Sequence, residues 1–111
     1  MTDSLIARAK AAAAEADEIF WRQGAASGIE TLMKVAADST ERGYYCNAKG
    51  YIKEAEDAAA GSDQTARQAL IEGYRRLIEI CWERSRGWRK DEEAAKYARI
   101  YKRRFKELQK R

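Results

Sequence analysis

SDQTARQALIEGYRRLIEICWERSR, residues 62–86, is the stretch whose reading decides the fold. Ala66, Leu70, Gly73, Leu77 and Ile80 recur in steps of four and three, and Ile71, Ile78 and Trp82 form a second apolar row beside them. At 3.6 residues per turn the two rows make one wide apolar arc, and an arc that wide requires neighbours on two sides. The segment is therefore expected to be the central helix of an all-α fold. Gly61 followed by Ser62 and Asp63 reads as a stop and a new N-cap, and Gly87 as the end of the helix.

On its C-terminal side lies the best-specified helix of the chain. Asp91, Glu92 and Glu93 suit the positive end of a helix dipole, Lys106, Lys110 and Arg111 its negative end, and Ala94, Ala98, Tyr101, Phe105 and Leu108 carry the apolar stripe. Before residue 62 the pattern is less decided. Ile29, Met33, Ala36, Tyr44, Ala48, Tyr51, Ala55 and Ala58 keep a helical period over residues 28–60. Gly43 and Gly50 each cost about 1 kcal/mol inside a helix relative to alanine, and Asp38-Ser39-Thr40-Glu41 has the form of a capping box. One bent helix or two short ones are both compatible with this stretch. A first helix is expected over residues 3–23, with Gly24 ending it and the capping box Ser27-Gly28-Ile29-Glu30 opening the next.

These segments, joined by short turns, predict one helical domain over residues 1–111, an antiparallel bundle of four to five helices. Composition agrees: 45% of the residues are hydrophobic and 36% charged, and proline is absent where average usage gives roughly five. No apolar run is long enough for a secretory signal or a membrane span, so a cytoplasmic setting is expected.

Lys49-Gly50-Tyr51-Ile52-Lys53-Glu54-Ala55 and Arg86-Gly87-Trp88-Arg89-Lys90-Asp91 share a pattern of basic residue, glycine, aromatic, any residue, lysine and acidic residue. The pattern resembles the turn of a tetratricopeptide (TPR) or Sel1-like helical hairpin, with Gly43, Gly50 and Ala55 at matching spacings. The likeness covers about twenty residues. It implies TPR-like stacking of α-hairpins and a concave peptide-binding face.

The chemistry available is narrowed by one deficit. The chain contains no histidine, which removes Ser-His-Asp, Cys-His and Glu-x-x-His arrangements. No phosphate-binding glycine loop, dinucleotide fingerprint or calcium loop occurs. Cys46 and Cys81 stand apart and are expected to be reduced, helix-packing residues without a metal. The closest carboxylate pairs, Glu79 with Glu83 and Glu92 with Glu93, fall on faces expected to be solvated. No catalytic residue, cofactor or metal ligand is assigned, and the chain is read as not an enzyme.

What remains is charge. Residues 1–83 carry ten basic and fourteen acidic side chains, a net −4; residues 84–111 carry twelve basic and four acidic, a net +8. On the last helix Lys96, Arg99, Lys102, Arg103, Lys106 and Lys110 form a continuous basic arc opposite the apolar stripe. The leading expectation is a non-catalytic binding or adaptor module that docks a protein partner. The alternatives are RNA or DNA binding through the basic arc, with Trp82, Trp88, Tyr97 and Tyr101 as candidate base-stacking residues, and an engineered or scaffold helical domain that presents a binding surface. Ile100 and Tyr97, read as exposed, leave a homodimer open.

Overall fold

The computed structural model describes residues 25–61, 64–87 and 91–110. The first helix expected over 3–23, the Ser62-Asp63 cap and Trp88 lie outside these residues. Four helices are described: α1 (Ala25–Glu41), α2 (Tyr45–Ala59), α3 (Gln64–Arg86) and α4 (Glu92–Gln109). No strand occurs among the described residues.

α3 occupies the centre, as its wide apolar arc requires. It packs along α1 and α4 and also touches α2. Its buried set is Ala66, Ala69, Leu70, Ile71, Tyr74, Leu77, Ile80 and Cys81, with Ile78 and Trp82 half-buried at one margin. One apolar core joins all four helices, and Ile29, Leu70, Leu77 and Ile80 are almost wholly enclosed in it. Removing a side chain such as Leu77 would leave a cavity, at a cost of about 2–5 kcal/mol.

Residues 28–60 resolve into two helices, the second of the two alternatives, and the break falls at Gly43 and not at Gly50. Gly43 has φ +81°; its N–H donates to the Thr40 carbonyl at 3.0 Å, and the Tyr44 N–H donates to the Ser39 carbonyl at 2.8 Å. These are the two hydrogen bonds of a Schellman ending, in which the residue with positive φ satisfies carbonyls the helix would leave unpaired. Asp38 to Glu41 thus form the last turn of α1 and open no new helix. Buried Thr40 donates its hydroxyl to the Ala36 carbonyl at 2.8 Å. In α2 Ala48 and Ala55 are buried as expected, but Tyr45 and Ile52 complete the stripe in place of Tyr44 and Tyr51, which are exposed.

Two further expectations are corrected. α1 is helical from Ala25, so Ser27 sits inside it and caps nothing; its carbonyl accepts the Thr31 hydroxyl. Lys49-Gly50-Tyr51 lies in the interior of α2, whereas Arg86-Gly87 lies where α3 ends, so the two similar segments are not structurally equivalent. The turn implied at Gly50 falls seven residues earlier, at Gly43.

α1 and α3 approach closely at Gly73. A Cβ built there would lie 2.5–2.7 Å from Met33 side-chain atoms, nearer than real Cβ contacts come. Gly50 faces open space. Gly73→Ala is therefore expected to lower stability by about 1–3 kcal/mol through overpacking. Gly50→Ala is expected to raise it by up to about 1 kcal/mol by removing backbone freedom. Urea unfolding midpoints of the two variants should move in opposite directions.

Candidate functional site

The basic arc depends on how α4 is held. Asp91 caps the helix, its Oδ1 accepting the Ala94 N–H at 3.1 Å. Its Oδ2 accepts the Tyr45 hydroxyl at 2.7 Å and meets Arg84 Nε and Nη2, each at 3.1 Å. Arg84 Nε also donates to the Tyr45 hydroxyl at 3.0 Å, and its Nη1 donates to the Glu41 carbonyl at the end of α1. One guanidinium thereby joins the ends of α1 and α3 to the starts of α2 and α4. Gly43 gives Arg84 room, since a Cβ there would lie 2.9 Å from its Nη2.

Farther along, Arg104 donates to both carboxylate oxygens of Glu56 on α2, at 2.9 and 3.1 Å, and also pairs with Glu107. Between these two anchors Tyr97 stacks on Tyr45, with ring centroids 4.8 Å apart, and Lys49 sits over the Tyr97 ring at 5.3 Å. Tyr97, read as exposed from the sequence, is 5% exposed, so the apolar pair invoked for a homodimer reduces to Ile100, which is 47% exposed.

With its inner side fixed to α2 and α3, α4 turns Lys96, Arg99, Lys102, Arg103, Lys106 and Lys110 to solvent; all six are exposed. None lies within ion-pair distance of a carboxylate among the described residues. Arg104, in the midst of them, is turned inward. It was missed as a structural residue because basic residues surround it in sequence. Its spacing from Tyr97, Tyr101 and Leu108 at −7, −3 and +4 places it on the flank of the apolar stripe, the signal that marks it out.

Beside the basic arc, α3 and α4 leave a groove of about 320 Å³, floored by Ile78, Trp82 and Phe105 and bordered by Arg75, Lys102 and Lys106. It continues past Arg75 and Phe105 into a second depression of about 490 Å³ that reaches Gln64 and Leu108. A third groove, of about 500 Å³, lies between α1 and α3 over Met33, Ala37, Ala69 and Gly73, with Glu30, Asp38 and Glu72 at its border.

No three Cys, Asp or Glu side chains gather in metal-binding geometry among the described residues, and no described helix is long and apolar enough to cross a membrane. Glu79, Glu83, Glu92 and Glu93 are exposed. Cys46 is exposed, contrary to its reading as a packing residue. Cys81 is buried, and that burial, with the Asp91 carboxylate adding to it, pushes its thiol up to about 11. Burial likewise raises the Tyr45 phenol to about 12. Tyr101, 4% exposed, has no hydrogen-bond partner for its hydroxyl among the described residues. No protein-family model, curated protein or solved structure matches this chain.

Burial pushes the Asp91 carboxyl up, but the hydrogen bonds from Tyr45, the Ala94 N–H and Arg84 outweigh it and hold the group below its ordinary value of 3.8. A carboxylate depressed on folding contributes stability in full above its unfolded value and loses it as pH falls through the folded one. Asp91→Asn is expected to flatten the acid limb of the stability curve below about pH 4, measured by denaturant unfolding across pH. Removing the unsatisfied phenol has the opposite sign from most core changes. Tyr101→Phe should leave stability unchanged or raise it by about 1 kcal/mol, read from the thermal midpoint.

Proposed function

We propose that the protein is a non-catalytic docking module that binds an acidic protein partner on the outer face of α4. The carrying observation is the exposure of Lys96, Arg99, Lys102, Arg103, Lys106 and Lys110 without carboxylate partners among the described residues, on a helix whose one inward cation, Arg104, is paired. A rigidly held helix presents such charges without paying their ordering on binding.

A second reading, binding of RNA or DNA, draws on the same six cations, which are spaced to neutralise several phosphates. The aromatics weigh against it: Tyr97 and Tyr101 are buried, and the partly exposed rings of Trp82 and Phe105 line the groove beside the basic face rather than standing on that face.

The contact registers support a finer architecture. Met33 faces Gly73 and Glu41 meets Arg76, so contacts advance in the same sense along α1 and α3. Tyr45 with Tyr97 and Glu56 with Arg104 do the same for α2 and α4. Tyr74 with Tyr101 and Arg84 with Asp91 run in opposite senses along α3 and α4. We read this as two antiparallel hairpins side by side, the stacking of helical-repeat proteins rather than an up-and-down bundle.

Binding to oligoglutamate, single-stranded RNA and duplex DNA as salt rises tests the functional reading. Oligoglutamate binding that weakens with salt is expected, and is expected to vanish in the Arg99→Glu/Arg103→Glu variant. Tighter binding of nucleic acid through the same residues would select the second reading, and no binding of any polyanion at low salt would refute both.

A further inference from the structure

The face of α3 turned away from α1 carries no helix among the described residues. At 100° per residue, Arg75, Ile78 and Trp82 stand opposite Ala69, Gly73 and Arg76, which meet α1. The first hairpin, α1 with α2, is covered by α3, which touches both of its helices. The corresponding groove of the second hairpin, between α3 and α4, is covered by no helix among the described residues. Its floor, Ile78, Trp82 and Phe105, is apolar and only half-buried.

From these observations we propose that the α3/α4 groove binds one amphipathic helix of an acidic partner protein. The inference rests on the docking role proposed for α4 and specifies its partner. The apolar floor calls for an apolar stripe, as in helix-in-groove recognition. The border sets the sign of the remaining face: Arg75, Lys102 and Lys106 against Glu79, with Lys110 and Arg103 beyond. Arg75 is partly neutralised by Glu72 at 3.9 Å and Glu79 by Arg76 at 3.6 Å, so the charge left unpaired at the border among the described residues belongs to Lys102 and Lys106. Length fits as well. Gln64 and Trp82, the ends of the joined depressions on α3, are eighteen residues apart, about 27 Å of helix. Five turns of a partner would lie along it.

The groove also explains why the floor residues are large. Trp82 and Phe105 are half-buried although both lie beside the apolar core, which leaves ring surface for a partner to cover. Lys102 and Lys106, one turn apart on α4, are placed to flank two successive acidic residues of a docked helix.

The test uses the full-length chain and a fluorescein-labelled synthetic helix of about eighteen residues. The peptide has leucines at i, i+3, i+4 and i+7 on one face and glutamates elsewhere. Its control has the same composition scrambled, so that leucine and glutamate no longer segregate. Fluorescence anisotropy at physiological salt is expected to show saturable binding of the segregated peptide and at least about tenfold weaker binding of the scrambled one. Lys102→Glu/Lys106→Glu and Phe105→Ala should each weaken the segregated peptide by about tenfold or more, with unchanged helical circular dichroism. Phe105 also contacts the core, and the charge-reversal pair keeps the proposal falsifiable if Phe105→Ala fails to fold. Equal binding of the two peptides would overturn the groove, as would indifference to Lys102 and Lys106. If Arg99→Glu/Arg103→Glu alone abolishes binding, the basic face stands and the groove falls. If neither charge reversal matters, both readings fall. Displacement of the peptide by single-stranded RNA through Lys102 and Lys106 would reassign the groove to nucleic acid, and self-association abolished by Phe105→Ala would reassign it to a second copy of the chain.

Discussion

The structure depends on one guanidinium. Arg84 reaches the carbonyl at the end of α1, the Tyr45 hydroxyl at the start of α2 and the Asp91 carboxylate that caps α4, all from the last turn of α3. The first contact satisfies a carbonyl that the helix end would otherwise leave to water, and the other two hold side chains at the starts of the next helices. Four helix termini thereby share one hydrogen-bonded node, and the apolar core need not by itself set the angles at which they meet. The Arg84 and Asp91 side chains are 27% and 19% exposed. This is dry enough for charge-assisted bonds to be strong and wet enough to avoid the full cost of burying ions.

The node divides the chain's cations into two kinds. Arg84 and Arg104 face inward, each held by a carboxylate and each bridging elements that are distant in sequence. Lys96, Arg99, Lys102, Arg103, Lys106 and Lys110 face outward. Net charge alone makes no such distinction. The division turns a basic terminal segment into a structural seam on one side and a charged surface on the other, and the α3/α4 groove runs along the outer border.

Much of this was legible in the sequence. The doubled apolar rows of residues 66–82 placed α3 at the centre, Asp91 opened the last helix, and the six-residue basic arc is exposed as projected. What was not legible had physical causes. Gly43 was among the candidate breaks, but whether it kinks one helix or separates two depends on the Thr40 and Ser39 carbonyls accepting from Gly43 and Tyr44. In α2, Tyr45 and Ile52 take the core places expected of Tyr44 and Tyr51. Tyr97 was misread because its burial comes from stacking on Tyr45, fifty-two residues away. Arg84 was hidden for a similar reason: three of its partners come from segments that sequence spacing does not relate.

The two cysteines differ because they occupy different faces of their helices. Cys46 lies one position past the buried Tyr45 and so faces water, whereas Cys81 is sealed within the α3 core with its thiol raised to about 11. Thiolate is the reactive form, so Cys46 is the thiol that an alkylating reagent reaches in the native molecule. Cys81 becomes accessible only when the core opens. The chain thus contains an internal clock for its own breathing: the second alkylation event, separated in time from the first, measures how often α3 comes apart from its neighbours.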